Sequence, residues 1–281
     1  MTANARLIFP NVADDATLIS SPAEVAALPV ENLQVQTRGD VWRSNGVISA
    51  QHILGDLVGY QPVSALALVR HNLTATATYR LRLYDGAGQT GTTLYDSGTV
   101  MTGGTLQGWG EFVWGVDPWG SATLEDWPVP YLAVWFAAVT ALSFDLELTD
   151  TGNPDGYLQA ARLVLGDTFE PAHNMAYGLE IAWREQSKQV RTEGGTLRTD
   201  EREAYRRIGF ALGVLSVAER ATLFDRLRRV GLRNDLFLSC FPNDATSLER
   251  DYAGLVKLVD IPSMTADLPL NYRTQLVFEE S

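Results

Sequence analysis

Five of the seven tryptophans, Trp109, Trp114, Trp119, Trp127 and Trp135, fall in one short stretch, interleaved with Gly108, Gly110, Gly115, Gly120, Pro118, Pro128 and Pro130. Large rings alternating with turn residues are incompatible with a helix and point to aromatic-bearing strands and loops. The stretch holds no His and no Cys. Rings without catalytic partners suggest a β scaffold that binds or assembles rather than one that does bond chemistry.

The surrounding sequence carries the same grammar. Tyr79, Leu81 and Leu83 alternate with Arg80 and Arg82, the period-2 pattern of a half-buried strand, and the turn Asp85-Gly86-Ala87-Gly88 follows. Further strands are expected at Ser64 to Arg70, Thr92 to Tyr95, Glu111 to Trp114 and Leu158 to Leu165. Tyr131 to Val139 and Leu142 to Leu148 read as two neighbouring strands. Many short strands at this spacing predict a β-sandwich.

Past Gly166 to Tyr177 the pattern changes. Ser216-Val217-Ala218-Glu219 is a capping box, and Val217, Ala221, Phe224, Leu227 and Val230 recur at helical spacing. Gly231 suits a left-handed C-terminal cap, with Arg226, Arg228 and Arg229 at the negative end of the helix dipole. Strands are expected at Leu179 to Trp183, Leu236 to Phe241, Leu255 to Ile261 and Tyr272 to Phe278. The fold class is therefore mainly β: a sandwich followed by a smaller α+β domain. The partition is residues 1–31 as an N-terminal arm, 32–165 as the sandwich and 166–281 as the α+β part.

Composition narrows the function. The net charge of −12 disfavours general affinity for nucleic acid. Up to Leu165 the chain carries 7 Arg, no Lys and 16 acids; from Gly166 it carries 15 basic and 18 acidic groups. The longest apolar run, Tyr131 to Leu142, is too short to span a bilayer. The N-terminal segment lacks the layout of a signal peptide. Cys240 is the only cysteine, so an intrachain disulfide is impossible, and its apolar strand favours a buried, inert thiol.

Catalytic apparatus is sparse. His52, His71 and His173 lack metal-ligand spacing, and no cofactor is expected. Asp145 and Glu147 share one strand face, and Glu125 adjoins Asp126, but alternating acids on an outer face are the ordinary solvated pattern rather than a hydrolase pair. Gly103-Gly104 and Gly194-Gly195 do not follow phosphate-loop spacing. No enzyme is predicted. Trp135 lies in an apolar run and is expected in the core. Trp109, Trp119 and Trp127 sit beside Gly or Pro and divide between core and contact, either stacking on a sugar or anchoring an interface. The Arg-rich segment holding Arg198, Arg202, Arg206 and Arg207 has acids interleaved, and reads either as a solvated face or as an assembly contact.

Two resemblances add to this. Trp42-Arg43-Ser44, Ile53-Leu54-Gly55-Asp56-Leu57, the apolar run ending His71-Asn72-Leu73, and Tyr79-Arg80-Leu81-Arg82-Leu83-Tyr84 resemble the opening strands of discoidin-like, galactose-binding jelly rolls. That resemblance spans roughly Asn32 to Leu165 and implies a jelly-roll sandwich. The whole chain resembles tail-tip proteins of long-tailed bacteriophages: a galactose-binding-like sandwich, a linker with Pro171, Asn174 and Tyr177-Gly178, then an α+β piece with Phe241-Pro242 and a final strand. In distal tail proteins the ring-forming domain usually comes first, whereas here the sandwich does. The resemblance implies a structural virion protein of the tail tip or baseplate, made in the host cytoplasm. It implies assembly as a homo-oligomeric ring, with tail tube, hub and baseplate proteins as partners. The alternative is a carbohydrate-binding, receptor-binding module that uses the loop tryptophans on a cell-surface glycan. Neither implies sequence-specific nucleic acid or membrane insertion.

Overall fold

The computed structural model describes residues 4–102, 131–200, 202–242, 249 and 251–281, with 267 and 268 by backbone alone. The protein is mainly β, built from antiparallel sheets, with a 14-residue α-helix at Val217–Val230. It divides into two compact units. The first comprises Met1–Glu170 and Leu236–Gly254, the second Pro171–Asp235 and Leu255–Ser281. The chain thus leaves the first unit, builds most of the second, returns to add one strand, and ends in the second.

The frame of the first unit is a pair of 19-residue strands, Gln51–Val69 and Tyr131–Thr149. They pair antiparallel from Gln51↔Leu148 to Val69↔Tyr131, with irregularities between Asp56 and Gln61 and between Val63 and Ala65. The two neighbouring strands expected at Tyr131 to Val139 and Leu142 to Leu148 are therefore one strand. The intervening residues, Val139 to Leu142, include no Gly, Pro, Asn or Asp, so nothing there reverses the chain. Likewise Ile53 to Leu57 and Ser64 to Arg70 are two halves of one strand.

The halves gather different neighbours. Thr17–Ser21 pairs with the first half of Gln51–Val69 and Arg162–Gly166 with the second. Thr78–Tyr84 pairs with the second half of Tyr131–Thr149 and carries Thr93–Asp96 and Val100–Met101 on its other edge. Thr78–Tyr84 buries alternate residues, as its sequence alternation requires. One continuous core joins both halves: Leu66, Leu68, Leu132, Val134, Leu163 and Leu165 from one end meet Ile53, Leu81, Leu83, Phe144, Leu146 and Leu148 from the other. Trp42 closes it, fully buried, its indole N–H donating to Ser20 Oγ at 3.0 Å.

The second half of Gln51–Val69 is buried on both faces, since Ala65, Ala67 and Val69 are as inaccessible as Leu66 and Leu68. A small layer explains this. Arg6–Ile8 pairs with Thr168–Phe169 on one side and Leu236–Ser239 on the other. Phe237 of that layer packs its ring against Tyr131 at 5.2 Å and Trp135 at 6.2 Å between centroids. The segment 1–31 expected as an arm thus contributes strands at Arg6–Ile8 and Thr17–Ser21.

In the second unit, Tyr205–Leu215 lies between Glu180–Arg184 and Asn271–Glu280, and Met264–Leu268 pairs with Asn271–Glu280. The helix Val217–Val230 starts at the capping box: Ser216 Oγ accepts from Glu219 N, and the Glu219 carboxylate accepts from Ser216 N. Its buried row is Leu223, Leu227 and Val230. This corrects the expected stripe, because Val217, Ala221 and Phe224 face outward, Phe224 at 43% exposure. Gly231 has φ 62° but ψ −158°, so the cap is a positive-φ glycine turn rather than the left-handed helical conformation. Lys188–Arg191 and Leu197–Asp200 form a separate exposed hairpin.

Candidate functional site

A cleft of about 510 Å³ in the first unit is lined by Arg6, Ser64, Trp135 to Ala138, Asp167, Thr168 and Glu170. Three elements meet there. The N-terminal strand supplies Arg6, the bent pair supplies Ser64 and Trp135, and Thr168–Phe169 with its flanks supplies Asp167, Thr168 and Glu170. The pairing Leu7↔Phe169 sets Arg6 beside Glu170, and Arg6 Nε donates to Glu170 Oε2 at 2.8 Å. The Arg6 guanidinium also lies over the Trp135 ring, 5.4 Å from its centroid. Ser64 Oγ donates to Asp167 Oδ1 at 3.2 Å and accepts from Thr168 N at 2.8 Å, which fixes the floor.

Two of the lining residues, Trp135 and Thr168, each hold a buried polar atom, Nε1 and Oγ1, without a hydrogen-bond partner among the described residues. Buried polar groups are nearly always satisfied, so these two are exceptions, but they lie out of reach of solvent and are not presented to the cleft. The arrangement offers a donor in Arg6, acceptors in the carboxylates of Asp167 and Glu170, and an aromatic wall in Trp135.

Other polar clusters are structural. Asp145, expected to be solvated, is buried: Arg82 Nη2 donates to its Oδ2 at 2.6 Å, and His52 Nδ1 lies 2.8 Å from its Oδ1. Arg82 also reaches Glu147 at 3.3 Å. One guanidinium therefore ties both acids across the strands, which is a sheet-stabilising ladder rather than a pair flanking an open substrate site. His71 is buried, accepts from Leu73 N at Nδ1, and is pushed down to about 4 by burial. Cys240 is buried and pushed up to about 12 by burial, in line with the inert thiol expected. Among the described residues no group of His, Cys, Asp or Glu could hold a metal ion, and no helix is long and apolar enough to cross a membrane.

Trp109, Trp119 and Trp127 lie outside the described residues, as do Trp114, Gly103-Gly104, the strand expected at Glu111 to Trp114, and the acids Glu125 and Asp126. Trp135, expected in the core, is half-buried and lines the cleft. The four arginines do not converge. Arg198 is exposed on the hairpin, Arg202 pairs with its neighbour Asp200 at 3.0 Å, Arg207 is half-buried, and Arg206 is buried against Glu280. Sequence reasoning missed Arg6, Ser64, Thr168 and Glu170. They are brought together by strand pairing across more than a hundred residues, and no local motif announces them.

No family model matches the chain, and no curated protein matches it. Among the solved structures it is similar to are carbohydrate-binding modules. Chitosan-binding module 1 of a chitosanase/glucanase from Paenibacillus sp. IK-5 is 20% identical, covering 57% of this chain and 100% of the module at a TM-score of 0.38. A family 32 carbohydrate-binding module of Clostridium perfringens NanJ, solved with galactose, is 15% identical over 59% of this chain and 99% of the module, also at 0.38. A further C. perfringens module, solved with GalNAc-β-1,3-galactose, is 13% identical over 56% of this chain and 100% of the module at 0.37. At these identities and scores no binding residue of those modules transfers to this chain.

Proposed function

We propose that the chain is a non-catalytic glycan-binding protein whose recognition site is the Arg6–Trp135–Glu170 cleft. The observation that carries this reading is the conjunction in one cleft of an aromatic wall, an Arg6–Glu170 charge pair and a second carboxylate, Asp167. Sugars present hydroxyls that both donate and accept beside apolar C–H faces, and such a mixed lining matches them. Glycan screening followed by calorimetric titration tests it. Saturable binding that is lost in Trp135→Ala and Arg6→Ala, with the far-UV spectrum unchanged, is the expected result. Binding that survives both variants but disappears in Trp119→Ala or Trp127→Ala moves the site to the tryptophan-rich loops.

A second reading, a tail-tip or baseplate part that assembles with copies of itself and with other tail proteins, draws on the outward row Val217, Ala221 and Phe224, an apolar helix stripe left exposed. Absolute mass by light scattering over a concentration series tests it. A discrete oligomer dissociated by Phe224→Asp supports assembly through that row, and a strict monomer at all concentrations counts against it.

A further inference from the structure

Resting on the glycan-binding reading, we infer that the cleft sorts glycans by charge: it takes uncharged sugars and rejects chains bearing uronate, sialate, sulfate or phosphate groups. The first reason is the local charge. Among the described lining residues Arg6 is the only basic one, against the carboxylates of Asp167 and Glu170. Arg6 is engaged by Glu170 through Nε at 2.8 Å and lies over the Trp135 ring, so its positive charge is already neutralised where an anionic substituent would need it. A carboxylate or sulfate entering the cleft loses its hydration and meets like charge, whereas a hydroxyl can donate to either acid.

The second reason is the field around the cleft. The residues of the first unit include 8 Lys or Arg and 21 Asp or Glu, a net charge of −13, while those of the second include 14 and 13, a net of +1. The acidity of the chain is therefore concentrated in the unit that holds the cleft. A field of that sign depletes polyanions near the site and leaves neutral ligands unaffected, and the effect is greatest at low ionic strength.

The test uses the full chain and matched probes: a panel of neutral gluco-, galacto- and manno-oligosaccharides, each beside its uronate or 6-sulfate counterpart. Titrations run at about 0.01 M and about 1 M salt, where the Debye length is roughly 30 Å and 3 Å. The expected result is binding of a neutral member, with its anionic counterpart weaker by about tenfold or more at low salt and the gap narrowing at high salt. Glu170→Gln, which removes one carboxylate and frees Arg6, should narrow or invert the gap. If that variant does not fold, Asp167→Asn and the salt series carry the same test. Equal or tighter binding of the anionic counterpart at low salt overturns the charge selection while leaving glycan binding standing. Binding of neither member of any pair overturns the glycan reading and this inference with it.

Discussion

Arg206 and Glu280 form a two-pronged ion pair inside the second unit: Nε donates to Oε2 at 3.0 Å and Nη2 donates to Oε1 at 2.9 Å, with both side chains less than a tenth exposed. They sit on neighbouring strands, and Glu280 Oε2 also accepts from Arg206 N at 3.1 Å. Removing Glu280 takes two accepting oxygens away from a buried guanidinium. Glu280→Ala should therefore destabilise the unit by about 3–5 kcal/mol, whereas Arg206→Met with Glu280→Leu should recover most of that loss. Urea midpoints of the singles and the double decide it. Singles within about 0.5 kcal/mol of the parent would show that the pair is solvated.

The helix offers a test of its orientation. Leu223 is fully buried while its neighbour Phe224 is 43% exposed. Leu223→Ala should cost about 2–5 kcal/mol as a core truncation. Phe224→Ala should stay within about 0.5 kcal/mol, as surface changes usually do. If the two values exchange in a chemical-denaturation series, the helix faces the sheet with the stripe read from sequence.

That stripe shows what was legible and what was not. Local rules with their own geometry held: the capping box at Ser216 and Glu219, the alternation of Thr78–Tyr84, and the burial of Cys240. Val217, Ala221 and Phe224 have good helical spacing, yet a helix with apolar residues on two sides does not say which side a sheet will cover. Asp145 looked solvated because its strand alternates, but cross-strand Arg82 and His52 are invisible in a one-strand pattern. The cleft was the least legible feature. Trp135 was marked, though as core; Arg6 and Glu170 meet only because Arg6–Ile8 and Thr168–Phe169 pair across the whole intervening sequence.

His71 gives a pH dependence of definite sign. Burial lowers its pKa from 6.5 to about 4 in the folded state. The unfolded chain therefore binds the proton first as pH falls. Stability is fully present above about pH 6.5, declines from there to about pH 4, and is flat below for this group. The span corresponds to about 3 kcal/mol at 1.36 kcal/mol per pH unit. His71→Phe should lower stability at neutral pH, since Leu73 N loses its acceptor Nδ1, but should abolish this decline. Stability measured by denaturant titration at a series of pH values checks both parts. An unchanged slope between pH 6.5 and 4 in the variant would assign the decline to other groups.

Gly55 and Phe144 face each other across the long strand pair, and a Cβ at Gly55 would lie 2.2 Å from the Phe144 ring carbon Cε1 and 3.0 Å from Leu18 Cδ2. Phe144 is fully buried in the single core, so its ring has nowhere to move. Gly55→Ala should therefore overpack the sandwich and cost about 1–3 kcal/mol. Phe144→Leu alone should also destabilise, by leaving a void where the ring was. Each change relieves the fault of the other, because the added methyl occupies space that the shortened side chain vacates. The double variant should then be more stable than the sum of the singles predicts, with a coupling on the order of 0.5–3 kcal/mol as found for residues in contact. A double-mutant cycle measured by urea unfolding reads this directly. Strict additivity would mean that the strands separate locally to admit the methyl, and that the Gly55–Phe144 contact does not set the spacing of the pair.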